Sequence, residues 1–176
     1  MGKTVVIYKS NTGYTKKYAE WIAEVLKCDV MENRKMTVNK LDSYDTVILG
    51  GSIMAGMVSG SNFFKKNFEQ LKRKKLVVYA CGMDDLDEEG AKKIWNQNFT
   101  SDQLTNVKCF YFRGGLDFGK LKGIKKFMLN MMCKQFASKP VKSQSEQDML
   151  KAQEGPVDFT KKDNIQPIVA YVNASV

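Results

Sequence analysis

The segment that decides the fold runs Thr4-Val5-Val6-Ile7-Tyr8-Lys9-Ser10-Asn11-Thr12-Gly13-Tyr14-Thr15. Its first five residues are mostly apolar and β-branched, which predicts a buried β-strand. The residues after the segment predict an amphipathic helix, because its apolar positions share one face: Thr15, Tyr18, Ala19, Ile22, Ala23 and Leu26. The polar loop 10–15 therefore joins the carboxyl end of a strand to the N-terminus of a helix.

The loop at residues 10–15 has the chemistry of an anion site. Backbone N–H groups lack partners at a helix N-terminus, and the helix dipole is positive there. Ser10, Asn11 and Thr12 add neutral donors, and Gly13 allows a tight turn. The sequence contains neither the Gly-x-x-x-x-Gly-Lys-Ser/Thr pattern of nucleotide P-loops nor the Gly-x-Gly-x-x-Gly pattern of dinucleotide folds. We expect this loop to bind a phosphate; an ordinary Ser or Thr helix cap is the alternative.

Strand and helix patterns alternate along the rest of the chain. Further strands are predicted at Cys28–Glu32, Asp45–Gly50, Lys75–Cys81 and Val107–Phe112. Helices are predicted around Phe64, Phe68 and Leu71 after a cap at Ser59–Ser61, at Leu86–Phe99, and at Asn164–Val172. Apolar strands separated by helices indicate an α/β fold with a doubly wound, five-stranded parallel sheet, helices on both faces, and one domain over residues 1–176. Ligands of such folds bind beyond the carboxyl ends of the strands.

Composition removes several kinds of chemistry. The chain has no histidine, which excludes imidazole metal ligands and Ser-His-Asp or Cys-His catalysis. Its four cysteines form no Cys-x-x-Cys pair, and Cys28, Cys81 and Cys109 are expected to be buried and inert. No metal site is expected. Without a signal-peptide or membrane-spanning pattern, we expect a cytoplasmic protein.

Charge gives a weaker indication. The formal net charge is +9, which favours acidic partners such as anionic lipid or carboxylate-bearing molecules, although a solvated basic surface is the simpler explanation. No nucleic-acid motif accompanies the charge. A phosphorylated receiver domain is excluded, because Lys9-Ser10 and Gly50-Gly51 occupy the positions where its acidic residues are needed.

Two loops resemble those of the flavodoxin family. Ser-x-Thr-Gly-x-Thr at 10–15 is similar to the family's FMN phosphate loop, and Gly50-Gly51-Ser52-Ile53 is similar to its second flavin loop. Within the family, the chain most resembles the menaquinone-dependent protoporphyrinogen oxidase-like branch, which also has a Gly-x-Ser-Ile segment after the third strand and a basic, Met-rich segment after the fifth.

The resemblance implies an FMN site. The phosphate would be held by Ser10, Asn11, Thr12, Gly13, Tyr14 and Thr15. One side of the isoalloxazine would be lined by Ser52, Ile53, Met54, Ala55 and Gly56, and the other by Cys81, Gly82 and Met83. Gly56 is the candidate for a peptide that reorients on reduction, although a short turn explains it equally well. Electron-carrying relatives stack an aromatic ring on the flavin, whereas these loops offer methionines and Ile53, and Met54-Ala55 stands where the oxidase branch often has Arg-Tyr.

The functional expectation is an FMN-dependent oxidoreductase, protoporphyrinogen oxidase-like, with an electron carrier of the flavodoxin type as the alternative. The partner would be a redox protein or a small, anionic molecule. Segment 116–139 is expected to be a basic, Met-rich insertion, and its part 116–136 a helical arm contacting the inner face of a membrane or a hydrophobic, carboxylate-bearing substrate. Its apolar side would contain Leu121, Ile124, Phe127, Met128, Met131 and Met132. Packing of that side on the domain's own core is the alternative.

Overall fold

The computed structural model describes residues 2–174 as an α/β domain. Its strands are β1 (Thr4–Lys9), β2 (Asp29–Glu32), β3 (Thr46–Met54), β4 (Met57–Val58), β5 (Lys75–Gly82), β6 (Val107–Arg113), β7 (Gly115–Leu116) and β8 (Val157–Asp158). Its α-helices are α1 (Tyr14–Leu26), α2 (Ser61–Lys66), α3 (Phe68–Leu71), α4 (Glu88–Asn98), α5 (Ser101–Thr105), α6 (Gly123–Ala137), α7 (Gln144–Glu154) and α8 (Gln166–Asn173). Short 3₁₀ turns cover Val38–Leu41, Phe118–Lys120 and Lys162–Ile165.

The central sheet confirms the predicted doubly wound topology. Its strands lie in the order β2-β1-β3-β5-β6, and every neighbouring pair in that order is parallel. The order reverses direction at β1, so the carboxyl ends of β1 and β3 form the edge where ligands of such folds bind. Two features were not predicted: β4 folds back antiparallel onto β3, and β7 pairs antiparallel with β8.

Each face of the sheet has its own apolar core, because successive side chains of a strand point to opposite faces. On one face, Val5 and Leu49 pack with Phe64 from α2 and Trp95 from α4. On the other face, core residues of the strands, α1 and α8 pack together: Val6, Ile48, Val77, Tyr79, Tyr18, Ile22 and Ile168. The strands are therefore covered on both faces, which is why they are apolar throughout.

Several predicted boundaries need correction. The stripe of Phe64, Phe68 and Leu71 belongs to two short helices, α2 and α3, that meet at Asn67. The cap residue of α2 is Gly60, within the predicted cap region Ser59–Ser61. Helix α4 begins two residues later than expected, where the Asp87 side chain accepts a hydrogen bond from the Gly90 N–H.

Burial of the cysteines agrees only partly with expectation. The side chains of Cys81 and Cys133 are buried, whereas Cys28 and Cys109 are half-buried. Cys28 lies just before β2 and not within it. Burial is still sufficient to raise the thiol pKa of Cys28 to about 11, so it is a poor nucleophile at neutral pH.

A helical insertion covers the carboxyl edge of the sheet. It runs from β7 through α6 and α7 to β8, residues 115–158, and so extends beyond the segment 116–139 that the sequence indicates. Leu116, Phe118, Leu121, Leu129, Cys133 and Ala152 form its own apolar cluster, apart from the two sheet cores. We call residues 115–158 the insertion. Within residues 2–174, each helix is too short or too polar to cross a bilayer.

Helix α6 does not have the single apolar side that was predicted. Leu121 precedes it and is buried, while Leu129 and Cys133 form the face that packs inward. Ile124, Phe127, Met128 and Met131 are exposed by 74%, 63%, 43% and 50%. The helix is apolar on two sides, so periodicity alone could not identify the packed one.

Candidate functional site

The loop 10–15 forms an open helix N-terminus. Gly13, with φ 109°, is the cap residue of α1, which corrects the alternative of a Ser or Thr cap. The Gly13 N–H donates to Ser10 Oγ at 3.0 Å, which closes the turn. Glycine has no side chain to cap the helix, so the N–H groups of the first turn stay free to meet a ligand. We call residues 10–15 the phosphate loop.

Hydrogen bonds from two buried tyrosines fix the position of this loop. The Tyr79 hydroxyl, fully buried under the sheet edge, donates to the Thr15 carbonyl oxygen at 2.9 Å. The Tyr18 hydroxyl donates to the Arg113 carbonyl oxygen at 2.7 Å and so ties α1 to the end of β6. Thr12 and Thr15 are themselves buried. The loop is a fixed part of the scaffold, as a preorganised binding site requires.

The second loop, residues 52–56, is a tight hairpin between β3 and β4. Ala55 and Gly56 both have positive φ, 49° and 74°, which is the pattern of a two-residue turn of type I′. The short turn weighed for Gly56 is therefore present. A Cβ on Gly56 would meet only the far end of the exposed Gln97 side chain, which can move aside, so it is the positive φ that favours glycine here.

Asn98, at the end of α4, fixes the second loop. It is 2% exposed. Its Oδ1 accepts a hydrogen bond from the Val58 N–H at 2.8 Å, and its Nδ2 donates to the carbonyl oxygens of Gly56 and Ile94, both at 2.8 Å. Any reorientation of the Gly56 carbonyl must break one of these bonds.

A serine bridges the phosphate loop and the second loop. Ser59, just after β4, accepts a hydrogen bond from Asn11 Nδ2 at 3.4 Å and another from the Ser52 hydroxyl at 3.2 Å. Its N–H donates to the Ser52 carbonyl oxygen at 2.9 Å. The two loops thus form one polar network of neutral groups.

The third loop, residues 81–83, presents its backbone and Met83 to the site. The Cys81 thiol is buried, which raises its pKa to about 12. It is therefore protonated at neutral pH and inert as a nucleophile. A Cβ on Gly82 would approach the Tyr111 hydroxyl to 2.7 Å and the Ile53 side chain to 3.2 Å. Gly82 lies in a narrow gap between these two side chains.

Tyr111 of β6 brings an aromatic ring to the site in addition to Tyr14 of the phosphate loop. Its hydroxyl donates to the Asp84 carbonyl oxygen at 2.6 Å. Burial, followed by the nearby Asp84 carboxylate, raises the pKa of Tyr111 well above its usual value. The phenol is therefore neutral and committed to its backbone partner.

These loops surround a cavity of about 260 Å³ at the carboxyl edge of the sheet. Of the residues assigned from the sequence, it is lined by Ser10, Asn11, Thr12, Tyr14, Thr15, Ser52, Ile53, Met54, Ala55, Gly56, Cys81, Gly82 and Met83. Gly13 completes the phosphate loop without lining the cavity. The structure therefore brings the predicted residues together; their binding to a cofactor stays a prediction.

Most of the remaining wall of the cavity comes from the insertion, and Asp84, Leu86 and Ile94 complete it. Leu121, Leu129, Met128, Met132 and Met149 face the two methionines of the loops, Met54 and Met83. Methionine side chains are flexible and polarisable, so such a wall adapts to apolar ligands of different shapes. A helix N-terminus with neutral polar side chains at one end and an adaptable apolar wall at the other distinguish the two parts of this cavity.

Arg113 and Asp148 lock the insertion over the third loop. Asp148 is 4% exposed, and its carboxylate meets Arg113 Nη2 at 2.8 Å. Arg113 Nε also donates to the Met83 carbonyl oxygen at 3.2 Å. Ser145 donates to the Asp84 carboxylate, which adds a second tie between α7 and the end of this loop.

Sequence reasoning missed Ser59, Asn98, Tyr111 and Met149. Tyr111 lies in a predicted strand, and its position one residue from the strand's end was the available signal. Met149 lies in α7, which the capping pattern Ser143-x-x-Glu146 could have revealed. Asn98 gave no signal, because a polar residue near a helix end is ordinary.

Comparison with known proteins gives a family and several similar structures. The flavodoxin domain model matches residues 5–143. Oxidised flavodoxin 2 from Bacillus cereus is 21% identical, with a TM-score of 0.48 over 63% of this chain and 84% of that one. Two-electron reduced Megasphaera elsdenii flavodoxin is 22% identical, with a TM-score of 0.45 over 61% and 84%.

A flavoprotein in complex with FMN from Lactobacillus acidophilus is 16% identical, with a TM-score of 0.41 over 64% of this chain and 93% of that one. None of the curated proteins compared with the chain matches it. The family assignment therefore comes from the match over residues 5–143, which takes in the phosphate loop, the second and third loops and α6. By that match, the chain belongs to the flavodoxin domain family.

Proposed function

We propose that the chain binds one FMN and acts as an FMN-dependent oxidoreductase, of the protoporphyrinogen oxidase-like kind, on a small molecule with an apolar body. The observation that carries the proposal is the shape of the cavity. It begins at the phosphate loop and continues beneath the insertion, where Met128, Met132 and Met149 form an apolar wall.

The residues present fit FMN. A Cβ built on Gly13 would find no atom nearer than Lys120 Nζ, at 4.0 Å, so the turn leaves room for a phosphate group. Ser10–Thr15 would hold that phosphate through backbone N–H groups and neutral side chains. Ser52–Gly56 and Cys81–Met83 would line the two sides of the ring. Bound FMN would supply one- or two-electron transfer through its isoalloxazine.

The chain's own side chains bind, orient and exclude water. The chain has no histidine, the Cys81 thiol is protonated, and the Tyr111 phenol is engaged by a backbone oxygen. This leaves Asp84, which accepts a hydrogen bond from Ser145, as the carboxylate on the cavity wall. The redox step would then depend on the cofactor, and selectivity on the methionine wall. Coverage by the insertion favours this enzyme over an electron carrier, since a carrier must leave its flavin edge accessible to another protein.

A peripheral contact with an anionic membrane surface is part of the proposal. Ile124, Phe127 and Met131 share one exposed face of α6, and Lys122 and Lys134 are exposed nearby. An apolar face with basic neighbours suits the interface of an anionic bilayer. The net charge of +9 also favours contact with an anionic membrane surface.

The test is to purify the protein, identify any released flavin, and titrate it anaerobically with dithionite. We expect FMN, rather than FAD or riboflavin, reduced in a single two-electron step. A hydrophobic, carboxylate-bearing substrate such as a porphyrinogen should reduce the oxidised flavin in place of dithionite and be oxidised itself. Thr12→Val should weaken FMN binding about tenfold, because a hydrogen bond to a charged group is lost. A protein that binds no flavin would refute the proposal, and reduction in two separate one-electron steps without any substrate would favour the carrier.

A further inference from the structure

We propose that Lys120 and Lys125, both carried by the insertion, supply the positive charge that balances the 5′-phosphate of FMN at the phosphate loop. The inference rests on the proposed function, because it requires FMN in the cavity. It adds two binding residues that lie more than 100 residues beyond the loop they serve, and it links recognition of the phosphate to the position of α6.

Lys125 reaches the phosphate loop from the first turn of α6. Its Nζ donates a hydrogen bond to Asn11 Oδ1 at 2.6 Å, across a separation of 114 residues in the chain. Asn11 is neutral, so this contact positions the ammonium group without cancelling its charge. An amine held beside the open helix N-terminus is placed to pair with an anion there.

Lys120 approaches the same loop from the turn Phe118–Lys120. Its Nζ would be 4.0 Å from a Cβ on Gly13, so the amine faces the open side of that glycine. Lys120 Nζ lies 3.0 Å from the Asp117 carboxylate oxygen Oδ2. The hydrogen bond from Lys120 lowers the pKa of the Asp117 carboxyl, so Asp117 is ionised at neutral pH and partly offsets the lysine's charge.

The charge of the ligand explains why two amines are needed. A phosphate monoester carries about −1.5 to −2 at neutral pH, whereas a helix N-terminus offers roughly half a positive charge. The side chains of the phosphate loop are neutral. Lys17, in the first turn of α1, is paired with Asp158 at 2.7 Å. The phosphate would therefore carry more negative charge than the helix N-terminus can balance. Lys120 and Lys125 lie where they can supply the missing positive charge.

The consequence is a coupling between ligand and insertion. Because both amines belong to the insertion, a phosphate at the loop attracts α6 toward the cavity, whereas riboflavin, which lacks the phosphate, does not. FMN binding and placement of the methionine wall then reinforce each other, as linkage requires of two events that share a contact.

Flavin titrations of the apoprotein test the inference. Dissociation constants for FMN and for riboflavin are measured for the parent, Lys120→Met, Lys125→Met, and the control Lys126→Met, whose lysine is exposed on the same helix. Methionine keeps an unbranched side chain and removes the charge. We expect FMN affinity to fall about three- to tenfold in each test variant, since the amines are solvent-exposed, and the loss to shrink at high salt. Riboflavin affinity should not change.

The outcomes are distinguishable. Equal losses for FMN and riboflavin, no loss for FMN, or the same loss in Lys126→Met would overturn the role of Lys120 and Lys125, while leaving the FMN site intact. A parent that binds neither flavin would refute the proposed cofactor itself. Circular dichroism of each variant confirms that an exposed lysine has been replaced without unfolding.

Discussion

Replacing Asn98 with alanine should loosen the hairpin of the second loop and destabilise the whole domain. The side chain is buried, and its amide joins the end of α4 to the turn of the β3–β4 hairpin and to β4. Alanine removes three hydrogen bonds, to the Val58 N–H and to the Gly56 and Ile94 carbonyl oxygens.

The loss of stability depends on whether each former partner of Asn98 can form a hydrogen bond to water instead. Val58 is 2% exposed, so its N–H loses its partner without gaining water, which costs about 1–3 kcal/mol. Gly56 is only half-buried, so water can replace its bond. The Ile94 oxygen keeps its place in the helix ladder. Together these terms predict a loss of about 2–3 kcal/mol in the free energy of unfolding, or about 4–12 °C in Tm.

Urea unfolding followed by circular dichroism measures this loss. Asn96→Ala is the matched control, because Asn96 is an exposed asparagine on the same helix, and it should change stability by less than about 0.5 kcal/mol. Asn98→Asp keeps an acceptor for Val58 but sets a second oxygen against two carbonyls, so it should be at least as destabilising at neutral pH. If Asn98→Ala were no worse than Asn96→Ala, the assigned role of this amide in holding the hairpin would be wrong.

Two other outcomes test the exposed face of α6 and the buried thiol. Phe127→Ser combined with Met131→Ser should abolish sedimentation with anionic vesicles, because it removes exposed apolar surface; unchanged binding, with secondary structure retained, would contradict the membrane contact. Iodoacetamide should barely label Cys81 at pH 8, because with a thiol pKa of about 12 roughly one thiol in ten thousand is ionised. Labelling should rise steeply in urea, and rapid labelling of the folded protein, mapped by mass spectrometry, would count against its burial.

The sheet could be predicted because the features that identify its strands lie within each strand's own sequence. A strand buried on both faces must be apolar throughout, and segments such as Val47–Leu49 and Leu76–Val78 satisfy this without any knowledge of their neighbours. The turn at residues 10–15 was recognisable for a similar reason. Its glycine and hydroxyl residues follow a strand directly, and Gly13 takes the positive φ with which α1 begins; its binding of a phosphate stays a prediction.

The insertion could not be predicted with the same accuracy, because its structure depends on distant contacts. β7 and β8 are two residues each, too short to show alternation. Helix α6 is apolar on two sides, and only packing against α7 decides that Leu129 is buried and Phe127 exposed. The hydrogen bond from the Val58 N–H to Asn98, which fixes the second loop, likewise joins residues that are 40 apart in the chain.

The apolar cluster of the insertion has a consequence for dynamics. Because Leu129, Cys133 and their neighbours pack on one another and not into either sheet core, we expect α6 and α7 to behave as a separate cooperative unit once the Arg113–Asp148 bond breaks. Such a unit opens at a free energy below that of global unfolding, so its amide protons should exchange with deuterium before those of β1, β3 and β5. A ligand could then enter and leave during these partial openings, and their frequency would set an upper limit on turnover.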